Sequence, residues 1–313
     1  MKVKLIFVAK IGVTIASILY LANTIHWADF LGILAGIKIL WVATALGIFW
    51  LAQITSSARC AYIARALGGD LTMRASLRAH FIGLWFNQVL PTSLGGDVIK
   101  IAVLRKCLGL SVAIRSAILD RFSGLMFLMA FVAITLPLYF DLLLQARGVA
   151  NGLVMLSLTF IAATFLLVWV AHTYGHEVRW RVLHKPMQLL HDIWLFRRGR
   201  HLWNQIWTSA IVHFNGIAAY SLLGLSLGVH VNFLTFALIV PLVFLIALLP
   251  ISLAGWGIRE AGSVWLFGIV GISKEDALAM SICYGLLLVI SGLPGMIMLL
   301  SNNSRETVER EGA

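Results

Sequence analysis

Residues 80–101 read HFIGLWFNQVLPTSLGGDVIKI, and this stretch decides the fold. An apolar run stops at Leu90, meets Pro91, passes through Thr92, Ser93, Gly95, Gly96 and Asp97, and turns apolar again while carrying Lys100. Proline removes a backbone donor and paired glycines loosen a helix, and inside a hydrocarbon core no water makes good the lost hydrogen bonds. The pattern predicts a broken helix.

The stretch recurs. Residues 249–260 read LPISLAGWGIRE, with Pro250 lying 159 residues after Pro91. Aligned on proline, Ser93 falls on Ser252, Gly96 on Gly255, Ile99 on Ile258 and Lys100 on Arg259. Two interrupted apolar segments at corresponding places in two halves are the sequence pointer to the central site of a transporter built from inverted repeats.

The surrounding composition agrees. With 60% hydrophobic residues and a mean hydropathy of +0.94 over 313 residues, the chain reads as an all-α polytopic membrane protein, a single membrane domain over 1–313. The net charge of +11 raises nucleic acid as a partner. However, the basic residues fall mainly in short segments between apolar runs, as the positive-inside rule and anionic lipid headgroups require, so no nucleic acid is expected. Cys60, Cys107 and Cys283 are too scattered for a disulfide or metal framework.

In chain order, a retained first helix covers Met1 to Asn23 and a second covers roughly 34–54. Arg59, Arg65, Arg74 and Arg78 punctuate an amphipathic arm, with Gly68-Gly69-Asp70 as its turn and Thr72 as a helix cap. The broken segment 79–104 is flanked by basic clusters on both sides and is expected to be a re-entrant hairpin from the cytosolic face. Spans follow at roughly 117–140, 152–171, 206–228 and 277–300, with an interfacial segment at 172–205 interrupted by Pro186 and a polar tail from Ser301. The second hairpin is placed at 233–271. The expectation is therefore about six spanning helices plus two hairpins, both termini cytosolic, with a first repeat over about 1–140 and a second over about 149–300.

A Lys, Arg or Asp at the membrane centre costs roughly 2.5–3.5 kcal/mol on insertion scales, so Asp97, Lys100, Arg259 and Glu260 need a reason to be there. The functional reading is a polar cavity in which Lys100 and Arg259 hold an anionic headgroup, helped by Ser93, Ser252 and exposed helix-end amides; the bland one is an ion-pair lock between hairpins. Asp97 and Glu260 are candidates for proton coupling or for simple partners of the cations. Asn87 and Gln88 either cap freed backbone or line the path. Asp120 and Arg121 read as an interfacial anchor, with a gate as the alternative. Gly224 to Gly228 match the GxSxG nucleophile pattern, but inside a membrane helix they suit close packing better. His172, His176, His184, His191 and His201 sit among Trp and Arg with no matching carboxylate pattern, so no metal and no cofactor are expected.

With Asn87 to Pro91, Gly95-Gly96-Asp97 and a basic residue three on, Asp120-Arg121 with Gly124, and Pro250 to Gly255 with Gly257, Arg259 and Glu260, the chain resembles the lysylphosphatidylglycerol synthase transmembrane-domain family, also called flippase-like integral membrane proteins. Lys100 stands where that pattern more usually has Arg. The resemblance implies a bacterial inner-membrane bundle that moves lipids between leaflets: a phospholipid, aminoacylated phosphatidylglycerol or a polyprenyl-phosphate-linked lipid. The 313 residues hold no soluble aminoacyl-transfer domain, so a transporter is expected rather than an enzyme. A membrane-embedded lipid-linked transferase, or a non-catalytic subunit of a lipid synthase, is the alternative. The expected partners are the lipid substrate, anionic headgroups at the cytosolic face, and either a second copy of the chain or a partner synthase.

Overall fold

A computed structural model describes residues 2–90, 95–138, 147–174, 184–196, 199–249 and 251–311. All regular structure among the described residues is helical: α1 Lys2–Thr24, α2 Trp27–Ala35, α3 Ile39–Ala66, α4 Met73–Val89, α5 Gly95–Leu138, α6 Arg147–Tyr174, α7 His184–Phe196, α8 Gly199–Ser226, α9 Phe233–Leu248, α10 Ile258–Ile269 and α11 Lys274–Glu311. Five of these are long and apolar enough to cross a bilayer, and the α1–α2 pair, bent by 92°, makes a sixth if it counts as one span. The chain is a polytopic helical membrane protein.

The interruption at Pro91 divides two helices that fold back on each other. Asn87 and Gly83 of α4 lie against Gly96, and Gly69, just ahead of α4, lies against Leu108. This order of contacts makes α4 and the 95–108 arm of α5 antiparallel. A Cβ on Gly96 would sit 2.0 Å from the Gly83 carbonyl oxygen, so only glycine lets the two backbones meet. The arm ends at Gly109, whose φ of 72° is left-handed, and beyond it 110–138 forms the spanning part of α5. The side chain of Thr72 caps α4 by accepting from the Ala75 amide at 3.2 Å.

The second interruption is built the same way. Near the turn Ile246 of α9 meets Gly262 of α10, and at the far end Phe236 lies edge-on to Phe267 with ring centroids 5.7 Å apart. Helix α11 packs against both hairpins. Its Gly285 leaves room for Arg259 and Trp256, while Gly292 and Gly295 press on the α4 backbone at Trp85 and Phe81.

Several boundaries differ from the sequence reading. The first hairpin is longer than 79–104, because the Thr72 cap starts α4 at Met73. The second helix runs over Ile39–Ala66 rather than 34–54, which draws Arg59 out of the basic arm and into a buried helix position. Pro186 does not interrupt a helix; it lies in the first turn of α7, where its missing N–H has no intrahelical partner to lose. The expected tail from Ser301 continues α11 to Glu311. Pro91, Thr92, Ser93, Leu94 and Pro250 lie outside the described residues.

The antiparallel first hairpin predicts that its two outer ends share one side of the membrane. In a background lacking Cys60, Cys107 and Cys283, Arg74→Cys and Ser111→Cys, both exposed positions, should react with an impermeant maleimide from the same side. Labelling from opposite sides would show that α4 and the arm cross as one span.

Candidate functional site

The charged residues of the first hairpin converge on one carboxylate. Asp120 Oδ1 accepts from Arg59 Nε at 2.8 Å, and Oδ2 accepts from Lys100 Nζ at 2.9 Å. A second guanidinium nitrogen of Arg59 donates to Ser209 Oγ at 2.8 Å. Arg59, Lys100 and Asp120 are each no more than 5% exposed. Four segments therefore meet at this point: α3, the hairpin arm, the spanning part of α5, and α8. Asp97 and Arg121 form a second pair beside it, more open to the surroundings, with side chains 23% and 37% exposed. Three cations against two anions leave this cluster with a formal charge of +1.

Neighbouring polar groups position the cluster. His80, one turn before Gly83, pairs its Nε2 with Gln53 Oε1 at 2.9 Å. Asn87 Oδ1 accepts the Gly96 amide at 2.8 Å, which satisfies one of the free N–H groups at the start of α5. Gln88 lies half-buried near the end of α4.

The second hairpin pairs its charges locally. Glu260 Oε1 accepts from Arg259 at 3.0 and 2.5 Å and from Ser281 Oγ at 3.4 Å, while its Oε2 accepts the Gly257 amide at 2.6 Å. The reach back to Gly257 caps α10, as a glutamate at the third helical position can. The Arg259 guanidinium lies over Trp256, 4.8 Å from the ring centre. Ser252 is 1% exposed, and its hydroxyl has no hydrogen-bond partner among the described residues.

Lys100 and Arg259 thus correspond in sequence but not in pairing. Lys100 takes its anion from twenty residues on, Arg259 from the next residue, and the position matching Asp97 is Trp256. Sequence reasoning also missed Arg59, Ser209, Gln53 and the Arg115–Asp192 ion pair that ties α5 to α7. For Arg59 the run offered no signal: Gln53, Thr55, Ser56 and Ser57 precede it and Arg65 follows, as in a basic flank. Ser209 offered none.

A comparison with family models matches residues 7–295 to the lysylphosphatidylglycerol synthase TM region. The chain belongs to that family. The lysylphosphatidylglycerol synthase TM region here takes in both hairpins and every charged residue of the two sites, and it places the chain among lipid-related membrane proteins. A comparison with curated proteins finds no match.

The shared carboxylate sets an order of stabilities. Asp120→Asn leaves two buried cations facing each other and should cost about 3–5 kcal/mol, whereas Lys100→Met leaves Asp120 still paired with Arg59 and should cost less. Thermal unfolding of the purified variants checks this. Equal losses would contradict the shared-anion arrangement.

Proposed function

We propose that this protein moves an anionic, phosphate-bearing lipid between the leaflets of the bacterial inner membrane, with both termini in the cytosol. The observation that carries this reading is the buried first-hairpin cluster, with its excess positive charge and its half-exposed Asp97–Arg121 end. Ionisable groups inside membrane helices are expensive and mark substrate paths. A bundle that needed only to hold itself together would do so with the small-residue contacts already present between Gly83 and Gly96.

In this reading the two hairpins are re-entrant elements of an inverted repeat. The headgroup reaches the Asp97–Arg121 end first, because that is where the cluster is open. Its phosphate then competes with the carboxylates for Arg121 and Lys100. Arg259 plays the matching part at the second hairpin, with the Ser252 hydroxyl, which has no partner among the described residues, and with Glu260 as the group that releases it or carries a coupling proton. The candidate lipids, a phospholipid, aminoacylated phosphatidylglycerol and a polyprenyl-phosphate-linked lipid, share a phosphate.

In liposomes the purified protein should redistribute a labelled anionic lipid between leaflets without changing its mass. Lys100→Gln and Arg259→Gln should each lower the rate at least tenfold while the protein stays folded. A chemically altered lipid would support a transferase, and a lipid that stays in its leaflet would support a synthase subunit; either result overturns the transport reading.

A further inference from the structure

His80 of α4 sits beside the shared carboxylate and takes no part in its pairing. Its Nε2 lies 2.9 Å from Gln53 Oε1, and a carboxamide oxygen only accepts, so the ring carries its hydrogen on Nε2. Nδ1 is then a bare acceptor. It is buried and has no hydrogen-bond partner among the described residues. Leaving a buried acceptor in this state is costly, and the neighbouring donors point elsewhere: Lys100 and Arg59 direct theirs to Asp120 and Ser209.

The ring lies one turn before Gly83, on the α4 face turned to the hairpin arm, and a Cβ on Gly83 would sit 3.2 Å from Lys100 Cβ. The charges of Lys100, Asp120 and Arg59 all act on it. Each helix packed on α4 contributes differently. From α3 come Arg59 and the Cys60 thiol, which lies beside Lys100. From α5 come Lys100, Asp120 and, at the open end, the Asp97–Arg121 pair. Helix α11 has no charged residue between Asp276 and Arg305, and its Cys283 and Tyr284 belong to the core around α9.

This setting ties a proton on the ring to an anion in the site. The cluster holds a formal charge of +1, and a proton on Nδ1 would raise it to +2. An anionic phosphate at Lys100 and Arg121 offsets that increment, so the same proton then leaves the excess charge at +1. Coupling of this kind is reciprocal: the anion favours the proton as much as the proton favours the anion.

We infer that His80 Nδ1 is a proton-binding site of the first hairpin, filled when an anionic headgroup engages Lys100 and empty when Lys100 returns to Asp120. The proton comes from bulk water, bonds to the Nδ1 lone pair and is released when the headgroup leaves; no other bond is made or broken. A proton needs no cavity in the closed bundle. The inference rests on the transport reading and adds to it a proton carried on a group other than Asp97 or Glu260.

The test titrates the detergent-solubilised full chain with dioctanoylphosphatidylglycerol in a calorimeter, using buffers of different ionisation enthalpy to count protons. The lipid is a phosphodiester that keeps one negative charge between about pH 5 and pH 8, so any proton taken up goes to the protein. Binding should take up to about one proton per lipid, and the affinity should weaken several-fold as pH rises through that range. In His80→Gln, which keeps an amide donor for Gln53 and has no titratable nitrogen, uptake should vanish and the affinity should become independent of pH. Cys60→Ser, which removes the nearby thiol, should bind with the native proton count. Gln53→Leu keeps the ring but removes the acceptor of its Nε2–H, a bond that is stronger to the charged imidazolium, so uptake should persist with its pH midpoint moved lower by about half a unit or more.

Binding without proton uptake overturns the site, and so does uptake that persists in His80→Gln. If His80→Gln does not fold, an unmoved midpoint in Gln53→Leu overturns it instead. Translocation in liposomes separates this claim from the one it rests on. Proton uptake on binding by a protein that moves no lipid overturns transport and supports the proton site, whereas absence of binding at every pH overturns the anionic-lipid reading and the linkage with it.

Discussion

The arrangement depends on one carboxylate shared by two cations. Taking Arg59 and Lys100 out of water carries a desolvation cost that only a close anion offsets, and Asp120 serves both. Because the three come from α3, the hairpin arm and the spanning part of α5, satisfying that one group fixes the depth at which the hairpin sits. Ser209 adds α8 to the same point. Removing one cation leaves a pair, while removing the anion leaves a repulsion.

The charges alone would not hold a hairpin in lipid, where apolar side chains gain little by leaving one hydrocarbon for another. Close backbone approach supplies the rest. Gly83 meets Gly96 between the hairpin arms, and Gly292 and Gly295 of α11 meet α4. The same helix gives up a side chain at Gly285 to make room for Arg259. Helix α11 is therefore the wall common to both charged sites, and a shift of one hairpin against it bears on the other.

The broken segments and the residues around them were legible because their signals are local. Proline next to paired glycines interrupts a helix whatever packs on it, and Thr72 caps α4 where the sequence placed a cap. The pairing of charges was not legible, since it depends on which helix faces which. Arg59 and Asp120 are 61 residues apart, and nothing in the run around Arg59 distinguishes a buried cation from the first member of a basic flank. The matched prolines suggested matched roles for Lys100 and Arg259, but Asp97 and Trp256 at equivalent positions give the two cations different neighbours. The shared proline and glycine pattern did not bring shared electrostatics with it.

Beyond placing the hairpin, the buried charges serve an anionic lipid, and the fold does not need them to be ionic. Replacing a buried ionic group by apolar residues of similar volume is often neutral or stabilising. The most direct measurement is therefore on the triple variant Arg59→Met, Lys100→Met and Asp120→Leu, with melting temperature and anionic-lipid translocation read on the same preparation. A melting temperature at or above that of the native protein and no translocation are expected. Translocation at the native rate by the triple variant would contradict it.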